Sequence, residues 1–280
     1  KLTSVAIRRL GRGGGTAAPG LVAERIDPGL VSKIAGRLPH GVIVVAGTNG
    51  KTTVSRMLAD ILSAHGLAVA HNRAGSNLVR GVASALATQA DLLGDPRADV
   101  GVIESDEAAF PDIVRRLRPS LVVLNNLFRD QLDRYGELDT IASAWHPALQ
   151  HLPATSTVVV NVDDPTLAAL TEDLAARRVP FGLDDRNPRY LLEAIPHAAD
   201  AKTCRRCGHD LAYDRLYSAH LGVWRCPSCG AARPELDYAG TDITLHGVDA
   251  LSVAVTAPAA VRRFATTPDP TNSPFTYRRS

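Results

Sequence analysis

The chain has 280 residues, 45% hydrophobic and 21% charged, which fits a soluble globular protein with room for one large domain or two ordinary ones. Its net charge of +2 is too small to argue for nucleic acid or an anionic membrane as partner. No apolar run approaches the roughly 20 residues that span a bilayer, and the scattered arginines of the N-terminus do not read as a signal peptide, so a cytoplasmic location is expected.

Residues 1–41 contain Gly11-Arg12-Gly13-Gly14-Gly15 and Pro19-Gly20 and read as an entry segment packed on the main domain. From residue 42 to 255 a central domain is expected, in which short runs of Val, Ile and Leu alternate with helical patterns. Strands are predicted over 42–46, 100–104, 121–125 and 157–161, and helices over 52–65, 78–92, 110–117, 138–151 and 165–177. Continuous apolar strands separated by amphipathic helices predict an α/β fold of P-loop type, a mainly parallel sheet flanked by helices. Ligands bind such sheets at the C-terminal ends of the strands. Gly47, Glu104 and Asn125 all fall at such ends.

The segment 198–238 differs in character, since it holds all four cysteines as Cys204-x-x-Cys207 and Cys226-x-x-Cys229. That spacing fits a zinc ribbon inserted in the central domain, with four thiolates closing a tetrahedron around structural Zn²⁺. Gly208 and Gly230 follow each pair, where a knuckle tolerates a residue at positive φ. Two disulfides or a redox pair are the alternatives. After it, residues 238–255 alternate polar and apolar side chains as returning strands would. Residues 256–280, with four prolines and two Arg pairs, read as a disordered tail. They suggest a truncated chain or a shifted reading frame.

The motif with most chemistry is Gly47-Thr48-Asn49-Gly50-Lys51-Thr52-Thr53, directly after Val42-Ile43-Val44-Val45-Ala46. A Gly-rich turn that opens a helix points backbone N–H groups and a helix dipole at an anion. Lys51 would reach the β- and γ-phosphates of a nucleotide, and the Thr52 hydroxyl would sit on Mg²⁺. The longer pattern G-x-x-x-x-G-K-[ST] asks for Gly where this chain has Val45, so this is a shortened variant. Glu104 ends a buried strand and is the candidate carboxylate for Mg²⁺, while Asp106 and Glu107 serve equally well as helix-start residues. Asn161-Val162-Asp163-Asp164-Pro165 is ordinary helix-start chemistry.

Together these segments resemble the Mur ligase superfamily, ATP-dependent enzymes of peptidoglycan and folylpolyglutamate synthesis. The resemblance rests on residues 47–53, the carboxylate-ended strand at 102–107, Asp130-Gln131-Leu132-Asp133-Arg134-Tyr135 and residues 161–165, and it covers about 40–185. The Gly-rich N-terminus, Asn77-Leu78-Val79-Arg80-Gly81, the loop at 127–136 and the four-cysteine insertion look like the branch that amidates lipid II. That likeness implies phosphorylation of the D-glutamate α-carboxyl of lipid II to an acyl phosphate. Ammonia from a GatD-type glutaminase partner, bound as a heterodimer, then displaces the phosphate to give D-isoglutamine. It further implies that residues 47–53, with Lys51 catalytic, bind the triphosphate. Thr52 and the catalytic Glu104 hold Mg²⁺, Asn77 lies near the phosphates, and Asn161 faces the adenine.

Two departures from the family bear on this. Amino-acid-adding members carry His where this chain has Gln131 and a carbamylated Lys soon after, yet no Lys occurs between Gln131 and Ala201. This favours amidation over a Mur-type amino-acid ligase or a folylpolyglutamate synthase. The family's C-terminal domain, with its catalytic Asp and partner interface, is expected to be missing. A third reading, a zinc-ribbon nucleic-acid-binding NTPase, draws on Arg205, Arg206, Trp224 and Arg225 around the knuckles. The near-neutral charge argues against it.

Overall fold

A computed structural model describes residues 25, 27–72, 79–91, 94–129, 137–196, 199–246, 250–257, 260–267 and 276–279. The expected entry segment up to residue 24, Asn77 and the 130–135 motif lie outside the described residues. The chain divides into two compact units, Lys1–Val158 with Asp173–Arg177, and Val159–Glu172 with Arg178–Ser280.

In the first unit the strands are β1 (Val42–Ala46), β2 (Val69–His71), β3 (Val100–Glu104) and β4 (Leu121–Leu124), and their order is β4-β1-β3-β2. All three pairings are parallel, with Val45 opposite Glu104 and Ala46 opposite Leu124. Strands buried on both faces must be apolar throughout, and β3 is buried at every position. The helices are α1 (Leu30–Ala35), α2 (Lys51–Ala64), α3 (Val79–Thr88), α4 (Phe110–Leu117) and α5 (Glu137–Gln150). In α4, Phe110, Ile113, Val114 and Leu117 share one face at helical spacing and are all buried. Phe110 stacks at 4.3 Å between ring centroids on Trp145 of α5, a tilted aromatic pair that anchors the two helices.

β5 (Thr157–Asn161) leads the chain into the second unit, followed by α6 (Pro165–Leu170), β6 (Arg177–Leu183) and a 3₁₀ turn at Pro188–Tyr190. The expected helix over 165–177 stops at Leu170. The Thr171 hydroxyl takes the Leu167 carbonyl at 2.8 Å and Arg178 takes that of Ala168 at 3.0 Å, so the last carbonyls are satisfied by side chains. The start of the helix follows expectation: the Asp164 side chain accepts from the N–H groups of Thr166 and Leu167 ahead of Pro165.

β6 pairs in parallel with β9 (Tyr238–His246), and β10 (Ala250–Ala257) returns antiparallel to β9. β11 (Ala260–Thr267) and β12 (Thr276–Arg279) continue the antiparallel run. Strand thus replaces the irregular chain expected in these parts of 256–280, because Val261 and Phe264 to Thr267 supply β-branched and aromatic residues between the prolines. β7 (Ala212–Ser218) and β8 (Leu221–Arg225) form a separate antiparallel hairpin. Among the described residues no helix is long and apolar enough to cross a membrane.

Candidate functional site

The parallel register of β1, β3 and β4 brings together the three strand ends singled out in the sequence. β1 runs into Gly47, whose φ of +138° and whose surroundings both demand glycine: a Cβ there would lie 2.9 Å from the Asn126 carbonyl oxygen. The Thr48 N–H donates to that carbonyl at 2.8 Å, and the Asn49 N–H donates to Asn126 Oδ1 at 2.8 Å. The Thr48 hydroxyl bonds the backbone of Phe128 in both directions. The glycine-rich loop is therefore docked on the chain that follows β4, which sets its shape in advance of any ligand.

Gly50 closes the loop in the left-handed conformation and caps α2, so Lys51, Thr52 and Thr53 form its first turn. No side chain caps this end and its first turn holds no acidic residue, which leaves the positive end of the helix dipole to an outside anion. Lys51 Nζ bonds the Thr48 carbonyl at 3.0 Å and Glu107 Oε1 at 3.1 Å. The carbonyl of Glu107 in turn accepts from Trp145 Nε1 at 2.9 Å.

Thr52 Oγ1 donates to Glu104 Oε1 at 3.0 Å. Glu104 is 5% exposed, and its Oε2 is buried with no hydrogen-bond partner. A buried carboxylate oxygen without a donor is costly, and a divalent cation held between this oxygen and the Thr52 hydroxyl removes that cost. The residues present thus fit Mg²⁺.

Sequence reasoning missed the group that aims Glu104. Asn72, just past the unforeseen strand β2, is buried and clasps the Glu104 backbone, its Nδ2 on the carbonyl at 2.8 Å and its Oδ1 on the N–H at 2.7 Å. Asp106 does what its sequence context allowed, accepting from the Ala108 N–H at a turn before α4. Asn161 lies in the other unit, at the end of β5, where its Oδ1 accepts from the Asp163 N–H at 3.1 Å.

The four cysteines also lie in the second unit. Their sulfur atoms are all within 4.8 Å of one another, Cys204 Sγ being 3.6 Å from Cys229 Sγ and Cys207 Sγ 3.4 Å from Cys226 Sγ, with no disulfide among them. Gly208 and Gly230 each take φ of +76°, as two knuckles require. Backbone N–H groups of Cys229 and Ser228 pull the Cys226 thiol down to about 6, toward the thiolate that binds metal. Four converging sulfurs suit a tetrahedral soft-metal site with no open position.

Comparison with known proteins gives a consistent result. Residues 45–206 match the family of the Mur ligase middle domain. Over 244 residues the chain is 30% identical to the MurT subunit of lipid II isoglutaminyl synthase (glutamine-hydrolyzing) of Staphylococcus aureus, an alignment that covers 85% of this chain and 52% of that one. The subunit of the same name from Streptococcus pneumoniae is 33% identical over 232 residues, covering 83% and 49%. The chain therefore spans about half the length of these relatives. Among solved structures, MurF from Acinetobacter baumannii superposes with a TM-score of 0.56 at 17% identity, covering 85% of this chain and 41% of that one. That likeness establishes the shared α/β architecture.

Proposed function

The chain belongs to the Mur ligase family, and from that premise we propose that it is the nucleotide-binding part of an ATP-dependent ligase of peptidoglycan synthesis that amidates lipid II. In this reading the α-carboxylate of D-glutamate attacks the γ-phosphorus of ATP, giving an acyl phosphate and ADP. Ammonia from a GatD-type glutaminase subunit then attacks the acyl carbon, and phosphate leaves with the bonding pair to give D-isoglutamine.

Residues 47–53 wrap the triphosphate, and Lys51 leaves Glu107 to follow charge toward the γ-phosphate. Thr52 and Glu104 hold Mg²⁺, which would neutralise phosphate charge in the transition state. Asn161 faces the adenine. Asn77 is assigned beside the phosphates on sequence likeness alone. Zn²⁺ on Cys204, Cys207, Cys226 and Cys229 is structural, and the catalytic Asp comes from a C-terminal domain.

The observation that carries the nucleotide assignment is the Thr52–Glu104 pair with its unpartnered Oε2 beside an uncapped helix start. The absence of Lys between Gln131 and Ala201 supports amidation over amino-acid addition. The full-length protein with its glutaminase subunit tests the reading on lipid II: phosphate release that depends on glutamine or ammonia is expected. Turnover that requires a free amino acid and ignores ammonia contradicts it.

A further inference from the structure

Trp145 lies in the middle of α5, fully buried, with its ring stacked on Phe110 at the start of α4. A buried indole N–H needs an acceptor. Trp145 Nε1 finds one just ahead of α4, in the Glu107 carbonyl at 2.9 Å. The rest of the turn that carries Glu107 is fixed as tightly. The Ser105 N–H donates to the Val45 carbonyl of β1 at 2.9 Å, and the Phe110 N–H donates to the Asp106 carbonyl at 2.9 Å. The Ala108 N–H donates to Asp106 Oδ1 at 3.1 Å. Glu107 thus extends from a backbone that is held on both sides.

This turn presents a carboxylate to the phosphate loop. Lys51 Nζ lies 3.1 Å from Glu107 Oε1 and 3.0 Å from the Thr48 carbonyl, so the lysine is folded back on its own loop between two acceptors. Both side chains of the ion pair are largely shielded from water, and such a pair is screened less than one on the surface. An ion pair also costs the freedom of the side chains that form it. A clamped backbone at Glu107 lowers that cost, and Trp145 supplies the clamp from a different helix.

We propose that Trp145 is a positioning residue for Lys51: by holding the Glu107 carbonyl, it keeps the carboxylate where the lysine rests when no nucleotide is bound. The inference rests on the reading above, in which Lys51 moves from Glu107 to the phosphates of ATP. Nucleotide then competes with Glu107, and its apparent affinity is lowered by the share of molecules in which Lys51 sits on the carboxylate. When nucleotide departs, the same seat takes the lysine back, and no shielded ammonium is left without a counter-charge. A positioning role and a merely structural one differ in sign. Damage to the packing around the loop weakens nucleotide binding, whereas loosening the seat of Lys51 strengthens it.

Titration calorimetry of the full chain with the non-hydrolysable analogue AMPPNP and Mg²⁺ reads that sign. Trp145→Phe keeps a ring against Phe110 and deletes the donor. It should tighten AMPPNP about twofold, in the same direction as Glu107→Gln and on the scale of a partly screened ion pair. The double variant should bind no tighter than Glu107→Gln alone, because both substitutions act on one interaction. A second readout needs no change at Trp145 in the protein under test. The chain has two tryptophans, so its NMR spectrum carries two indole N–H signals, and the one missing from Trp145→Phe belongs to Trp145. Saturating AMPPNP should move that signal in the wild type and much less in Glu107→Gln, where binding breaks no charge pair at residue 107. Unchanged or weaker AMPPNP binding by Trp145→Phe, full additivity in the double variant, or equal movement of the signal in wild type and Glu107→Gln would overturn the inference and leave the nucleotide reading in place. A wild type that binds no AMPPNP would remove that reading and the inference with it.

Discussion

Lys51 Nζ lies 3.1 Å from Glu107 Oε1, in a pair whose side chains are only 13% and 18% exposed. The lysine that should meet a γ-phosphate is therefore already matched to a carboxylate, and a nucleotide must compete for it. Replacing Glu107 by Gln removes the competitor but keeps the shape. ATP affinity should rise about two- to fivefold, the scale of a partly screened ion pair, whereas Lys51→Ala should abolish measurable binding. Equilibrium titration with a fluorescent ATP analogue separates the two outcomes.

The Asn72 clasp on Glu104 has a stability signature. Asn72→Ala strands a buried N–H and a buried carbonyl on β3, a loss of about 2–4 kcal/mol. Asn72→Asp keeps an acceptor for the Glu104 N–H but cannot donate to its carbonyl, and it sets a second carboxylate beside the first. Both variants should lower the midpoint of urea denaturation.

Burial raises the Asp163 carboxyl to about 6 from its ordinary 3.8, against the opposing pull of the Leu183 N–H and Arg233. The folded protein then binds more protons than the unfolded chain between these two values, so stability falls as pH rises through that window. Denaturation midpoints measured on either side of it should show the decline in the wild type. Asp163→Asn should remove the slope, although it also leaves Arg233 without its charged partner and lowers stability at every pH.

Loss of a cysteine should register in folding first. Cys204→Ser removes one of four sulfurs from a closed cluster, and binding free energy at such a site is folding free energy. The variant should bind less than one equivalent of zinc by elemental analysis and melt at lower temperature than the wild type. Chelation of the wild type should reproduce that shift.

Much of the first unit was legible because its strands are continuous β-branched runs. The bounds of β1, β3 and β5 coincide with the predicted ones, as do those of α4. The three strand ends at Gly47, Glu104 and Asn125 converge because parallel pairing leaves no other place for them. β2 was invisible, since three residues of Val-Ala-His carry no pattern, and with it went Asn72, whose role depends on a neighbour more than thirty residues away. The helix expected over 165–177 stops at Leu170, and β6 after it was not foreseen, because the stop at Thr171 depends on a hydroxyl and on Arg178, side-chain bonds that periodicity does not encode. The knuckles were plain from cysteine spacing, yet their grip on Val162 and Asp163 follows from hairpin geometry that spacing does not reveal.

The most direct measurement is the ATP dissociation constant as a function of Mg²⁺ concentration, for the wild type and for Glu104→Gln. If Thr52 and Glu104 form the metal seat beside the phosphate loop, Mg²⁺ tightens wild-type binding about tenfold or more, as a hydrogen-bonded charge interaction should, and Glu104→Gln shows little response. A wild type indifferent to Mg²⁺, or a Glu104→Gln variant with the same Mg²⁺ dependence, would contradict the account.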